Sequence, residues 1–207
     1  MYALTIGATA VAGLSAASNM FGIVTLSMWA VFTAQDYTSG LIRLLVAGEP
    51  RRWRLLAGKV LALLVVTALA TTAAALANGM AVPMVGASGI DTSAWGTDVL
   101  AVVGEAWINL YLSLVVWGVL GLVIAVLTRS AVGAVAIGIG YVLVLESLIK
   151  MTGDAPSDLL LGTTLNAIAS GGTAAVSFGS ALALGGVYVI VGLVLAGAVF
   201  TRRDVTD

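Results

Sequence analysis

Long apolar runs, separated by short polar or glycine-rich stretches, dominate the pattern of this chain. A bilayer core takes about 20 apolar residues of helix to cross. Runs of that kind cover roughly 14–34, 60–77, 107–127, 131–148 and 181–200, and the helix over the third can begin near Val99. Their interiors hold no Lys, Arg or Asp, and Glu146, near the end of the fourth, is their one acidic residue. Strands of a membrane barrel would show segments of about 10 residues with alternating character. Here the runs are continuously apolar and rich in Ala, Leu and Gly, a composition that membrane helices tolerate. The pattern predicts an all-α, polytopic transmembrane helical bundle of five spans, forming a single domain over residues 1–207.

The intervening stretches differ in kind. Residues 35–59 are polar and basic. Residues 78–97 hold Pro83, Gly86, Gly89 and Gly96, which predicts a loop, an outer-surface lid. The segment 151–180 contains a short apolar patch (Leu159, Leu160, Leu161, Leu165 and Ile168) and then Ser170-Gly171-Gly172. It is too short and too broken to span. Irregular backbone at membrane depth is tolerated only when buried in protein or lining a cavity. The segment therefore rests on the outer face or dips in re-entrantly.

Composition narrows the function classes. Charged residues make up 9% of the chain and hydrophobic ones 60%, whereas soluble domains carry about 25% charged residues. This excludes a water-soluble enzyme, a disordered chain and a nucleic-acid binder, which would need a basic surface. The chain has no His and no Cys. Disulfides and Ser-His or Cys-His nucleophile pairs are thereby impossible, and zinc, haem and iron–sulfur sites lack their usual ligands. No metal site, no cofactor and no catalytic residue is expected in this chain, and a membrane-embedded enzyme is the poorest reading.

The placement of charge orients the bundle. Arg43, Arg51, Arg52, Arg54 and Lys59 lie between the first two spans, Arg129 between the third and fourth, and Arg202 and Arg203 after the fifth. With five crossings these eight of the nine basic residues fall on one side, which by the positive-inside rule is the cytoplasm. Lys150 falls outside with Asp91, Asp98, Asp154 and Asp158, and Glu105 and Glu146 sit near the outer helix ends. The expectation is a multi-pass plasma (inner) membrane protein with a cytoplasmic C-terminus. The first span then runs from outside to inside. Residues 1–13 carry no positive charge and do not resemble a signal peptide. An inside-to-outside helix is expected to be missing upstream, or residues 1–13 to be its end.

The stretch 35–59, QDYTSGLIRLLVAGEPRRWRLLAGK, is the richest in signals. Thr38 and Ser39 can cap a helix, and Leu41, Leu44 and Leu45 recur at helical spacing. Gly48 stands where that helix would end, and Pro50 suits the first turn of the next. Arg51, Arg52 and Arg54 then sit at headgroup level with Trp53 as an interface anchor. The bland reading is a basic loop that only sets topology. The sharper one is a short amphipathic helix lying on the inner membrane face, its outer face left for a cytoplasmic protein.

Three sequence blocks carry a family resemblance: Ser39-Gly40-Leu41-Ile42-Arg43-Leu44-Leu45, Gly48-Glu49-Pro50-Arg51-Arg52 and Leu55-Leu56-Ala57-Gly58-Lys59. In this order between two spans they resemble the membrane subunit of type 2 ABC exporters. The resemblance covers residues 36–59 by motif and nearly the whole chain by topology. It implies a coupling helix at Ser39, Gly40, Leu41, Arg43, Leu44 and Leu45, seated in a cleft of a cytoplasmic ABC ATPase subunit that holds ATP and Mg. It implies a second permease subunit, as a homo- or heterodimer, and contact with membrane lipid. It implies a six-span fold with this loop between the second and third spans, so that the first span and its amphipathic elbow are absent here. It also implies a re-entrant helical pair on the outer side before the last span, where residues 157–180 stand. The chain itself has no G-x-x-x-x-G-K-[ST] sequence for nucleotide. The expected function is the permease subunit of an exporter of a hydrophobic drug, lipid or similar substrate. The alternative is a stand-alone channel, secondary carrier or assembly anchor, but the internal repeats and midplane charges of carriers are missing.

Polar residues at membrane depth are functional candidates by default. Glu105, Asn109, Glu146 and Asn166 are candidates for a pathway or outer gate. Asn109 follows Glu105 by four residues, so both share a helix face. Glu146 precedes Lys150 by four, the favourable order for an ion pair, and a neutralised pair at a helix end is its plainer role. Asn19 and Ser27 read as hydrogen-bonding residues between helices. Small residues at four-residue spacing, Ala134/Gly138, Gly121/Ala125 and Gly192/Ala196, permit close helix approach without naming the partner helix.

Overall fold

A computed structural model of the chain describes residues 3–39, 52–87, 99–152 and 159–202. Every regular element among them is helical. The order is α1 (Ala3–Thr38), α2 (Arg52–Ala87), α3 (Val99–Thr128), α4 (Ala131–Gly140), a π-helical turn (Tyr141–Leu145) leading into α5 (Glu146–Thr152), α6 (Leu161–Ala169) and α7 (Phe178–Arg202). Three stretches among the described residues are long and apolar enough to cross a membrane: Trp53–Ala77, Val103–Thr128 and Phe178–Phe200. α1 and the α4–α5 pair occupy the first and fourth runs of the sequence pattern. The chain is a helical membrane bundle.

Several boundaries differ from the sequence expectation. α1 begins at Ala3 and continues without a break through the first predicted span. Residues 3–13 are thus the opening turns of that same helix, not the end of a separate preceding one, and no proline interrupts the stretch between Ala3 and Leu14. At 36 residues the helix is about 54 Å long, well beyond the roughly 30 Å bilayer core. α2 runs on to Ala87, so the first half of the predicted 78–97 loop is helical. The alanine-rich turns before it have high helix propensity, and apolar helices of this class accommodate a proline such as Pro83. Ser39 closes α1: its N–H and its hydroxyl both bond the Gln35 carbonyl, at 2.9 and 2.7 Å. Thr38 and Ser39 therefore lie at the end of α1. Gly40, Leu41, Arg43, Leu44, Leu45, Gly48, Pro50 and Arg51 lie outside the described residues.

α3 is the central post. Of its apolar stretch 67% is buried, against 17% for α2 and 11% for α7, which face outward. Its contact with α1 is built from glycine opposite tryptophan, twice. A β-carbon on Gly22 would stand 2.3 Å from the Trp117 ring, and one on Gly118 would stand 2.4 Å from the Trp29 ring. Each helix thus gives the other a seat for its largest side chain, and both tryptophans are fully buried. Gly121 lets α3 touch the α1 backbone, since its β-carbon would meet the Leu26 carbonyl oxygen at 2.3 Å. Such close approach supplies the packing that membrane helices need in place of a hydrophobic drive. The Trp29 indole donates to Thr67 Oγ1 at 2.9 Å, and Thr67 donates to the Leu63 carbonyl, which ties α2 to the pair.

The small-residue pairs expected from sequence all lie at helix contacts inside the chain. Ala125 and Ala134 pack with Ala30 and Ala34. Gly138 lies under the Leu26 side chain, Gly192 lies against Val119 and Val123, and Ala196 is buried.

Candidate functional site

The segment before the last long helix is neither a surface loop nor a span. Its nine-residue helix, α6, is buried through Leu161, Thr164, Leu165, Ala167, Ile168 and Ala169. Leu165 and Ile168 join the cluster around Leu26 and Trp117. Ser113 of α3 donates to the Leu165 carbonyl at 2.9 Å.

A helix end inside a bundle exposes N–H groups that need acceptors. The residue preceding α6 is Leu160, which has no side-chain acceptor. Glu146 of α5 supplies it from a different helix. Its Oε2 accepts from Gly162 N–H at 2.7 Å, and its Oε1 accepts from Thr163 N–H at 3.0 Å and from the Thr163 hydroxyl at 3.3 Å. Lys150 Nζ lies 2.8 Å from Oε1, so the ion pair read from sequence forms. The carboxylate is 2% exposed, whereas Lys150 is 48% exposed. A carboxylate at a helix N-terminus also meets the positive end of the helix dipole. The π-helical turn ends immediately before Glu146, and its wider turn advances the face from which the following residues project.

The other end of α6 is closed by glycine. Gly171 has φ +71° and Gly172 φ +112°. The Gly172 N–H bonds the Ala167 carbonyl at 2.7 Å and the Gly171 N–H bonds Ile168 at 3.2 Å, the Schellman pattern that needs a left-handed residue after the helix. The chain then turns at Thr173, whose hydroxyl accepts from Val176 N–H, and enters α7 at Ser177, whose hydroxyl accepts from Ser180 N–H.

Beside this anchor lies a half-open cavity of about 330 Å³, with Asn19, Trp117, Glu146, Lys150, Thr163 and Asn166 on its wall. Of the four pathway candidates, Glu146 and Asn166 line it together. Asn109 is buried on α3, with its amide nitrogen beside Gly171. Glu105 is exposed. The face expected to be shared by Glu105 and Asn109 is thus divided, because α3 turns one part of it inward and leaves the other uncovered. The cavity offers amides, a hydroxyl and an ammonium for binding polar groups. Among the described residues no group of three or more His, Cys, Asp or Glu stands ready for a metal.

Sequence reasoning passed over Gly162, Thr163 and Ser113. The first two act through backbone N–H groups, which leave no mark in residue type. Ser170-Gly171-Gly172 was a legible helix-stop signal.

At the other end of the bundle, Arg52 opens α2. Trp53 is 60% exposed, and the Arg54 guanidinium lies 5.7 Å above its ring.

The family model described as "Protein of unknown function (DUF2705)" matches residues 2–206. No curated protein and no solved structure matches the chain.

Proposed function

The chain belongs to the DUF2705 family, and we propose that it is the membrane-spanning permease subunit of an ATP-binding-cassette exporter. The observation that carries this reading is the motif at residues 39–59, set between two long helices of a helical membrane bundle. The buried α6 ahead of the last long helix supports it, as the expected counterpart of the re-entrant element. Under this reading the basic end of the bundle faces the cytoplasm of a cell with a plasma membrane, and a separate ATPase with its ATP and Mg docks on residues 39–45. A second permease subunit completes the pathway. ATPase closure pulls on the α1–α2 connection. The motion passes to α3 through the glycine–tryptophan contacts, since those rigid seats cannot slide independently. The substrate is a hydrophobic drug, a lipid or a similar molecule.

Two experiments test this. In mild detergent the tagged chain co-purifies with an ATPase bearing a P-loop, and replacing Gly40, Leu41 and Arg43 together releases it. Retention of every partner by that variant removes the coupling role from this loop. Orientation is tested separately, and the absence of cysteine gives a clean background. Met151→Cys, at a position 84% exposed, reacts with a membrane-impermeant maleimide in intact cells. Arg54→Cys reacts only after permeabilisation. The opposite pattern inverts the topology and with it the cytoplasmic docking.

A further inference from the structure

The cavity beside the Glu146 anchor draws its wall from four helices. Asn19 stands on α1, Trp117 on α3, Lys150 on α5 and Asn166 on α6, and Ile23 joins Trp117 on the apolar side. At a rise of about 1.5 Å per residue, Asn19 lies about 25 Å along α1 from Asp36, close to the thickness of a bilayer core. Asp36 is ion-paired with Lys59. That pair and the cavity therefore stand toward opposite faces of the apolar layer. An amphiphile at the cavity keeps its head near water and its chain in lipid.

The Glu146–Lys150 pair carries no net charge, but its halves are not equally available to a ligand. The carboxylate is buried and already accepts from Gly162 N–H, Thr163 N–H and the Thr163 hydroxyl as well as meeting Lys150. The ammonium is half exposed on the cavity wall, and it has donors to spare beyond one carboxylate contact. The side-chain amides of Asn19 and Asn166 add further N–H donors and make no hydrogen bond among the described residues. The positive end of the α6 dipole stands behind the carboxylate and offsets part of its charge. A cationic ligand would meet the ammonium first and could not reach the buried carboxylate. An anionic one meets the ammonium and two amides.

We propose that this cavity binds the carboxylate of a long-chain fatty acid, with Lys150 supplying the charge, Asn19 and Asn166 donating hydrogen bonds, and Ile23 and Trp117 lying along the first methylenes. Charge-assisted hydrogen bonds are the strong ones, and the apolar chain leaves the half-open cavity for the surrounding lipid. As the substrate site of an exporter this assignment rests on the permease reading. The binding itself needs no ATPase, so loss of the ATPase in the pull-down and loss of the acid here are separate results.

Retention of tritiated oleate by the purified full chain, in a neutral detergent at mildly alkaline pH, tests the site. Unlabelled oleate displaces the label about ten-fold better than oleyl alcohol, which has the same chain without the charge. Lys150→Gln removes that preference and Lys150→Arg keeps it. Asn19→Leu weakens it, and because Asn19 is exposed its replacement leaves folding intact and keeps the test valid if the Lys150 variants disturb α6. Millimolar acetate leaves oleate bound. Equal displacement by oleate and oleyl alcohol overturns the proposal, as does an undiminished preference in Lys150→Gln, which places the acid elsewhere on the chain. Displacement by acetate overturns the fatty-acid assignment in favour of a small soluble carboxylate.

Discussion

Glu146→Ala lowers stability by about 3 kcal/mol and loosens α6, because it strips the helix start of its acceptors. The Gly162 and Thr163 N–H groups lose a partner at 2.7 and 3.0 Å, and each N–H left unsatisfied costs roughly 1–3 kcal/mol. The lost ion pair adds less, since Lys150 is 48% exposed and can turn to water. Unfolding in detergent micelles by denaturant measures the loss, and hydrogen exchange at 161–169 locates it. Glu146→Gln keeps one carbonyl acceptor and costs roughly half as much. Gly162→Ala provides an independent check. Its β-carbon would stand 2.6 Å from Glu146 Oε2, so it expels the carboxylate and reproduces most of the Glu146→Ala defect. The double variant then costs little more than either single one, the signature of two changes acting on one interaction. Additive costs, or unchanged exchange across α6, would show that the carboxylate does not hold this helix.

Gly121→Ala separates α1 from α3 and costs about 3 kcal/mol. The added methyl would meet the Leu26 carbonyl oxygen at 2.3 Å. That atom is backbone in the middle of a helix, so no rotamer change relieves the clash and the two axes must part. Overpacking of this kind costs typically 1–3 kcal/mol, and the upper end applies where the obstacle is main chain. Parting the axes also unseats Trp29 and Trp117, which stand on Gly118 and Gly22 beside it. Gly104→Ala, on the same helix with nothing within 4 Å, is the control and is neutral or stabilising by up to about 1 kcal/mol. Thermal unfolding of the two variants in the same detergent decides the matter. Equal melting temperatures would refute the close contact.

Membrane class and the places of three long apolar helices, at the second, third and fifth runs, were legible because both rest on one scalar, the length of uninterrupted apolar sequence. Helix ends were less so. α1 and α2 overrun their predicted spans at Ala3 and Ala87, since hydropathy marks where a helix meets lipid and not where its hydrogen bonds stop. The Glu146–Lys150 pair was legible from spacing alone. That the same carboxylate holds α6 was not, because its partners are main-chain N–H groups 16 and 17 residues further along.

By itself, the sequence determined that this chain forms a bundle of apolar helices. Only the tertiary structure decided which faces meet. Trp29 is fully buried while Phe32, three residues later, is 49% exposed, and Leu26 is fully buried while Val24 is 64% exposed. These side chains are equally apolar, so hydrophobicity cannot sort them when the surrounding solvent is apolar too. Shape sorts them: a tryptophan is buried where the facing helix offers a glycine, and that pairing exists only once the helices are side by side.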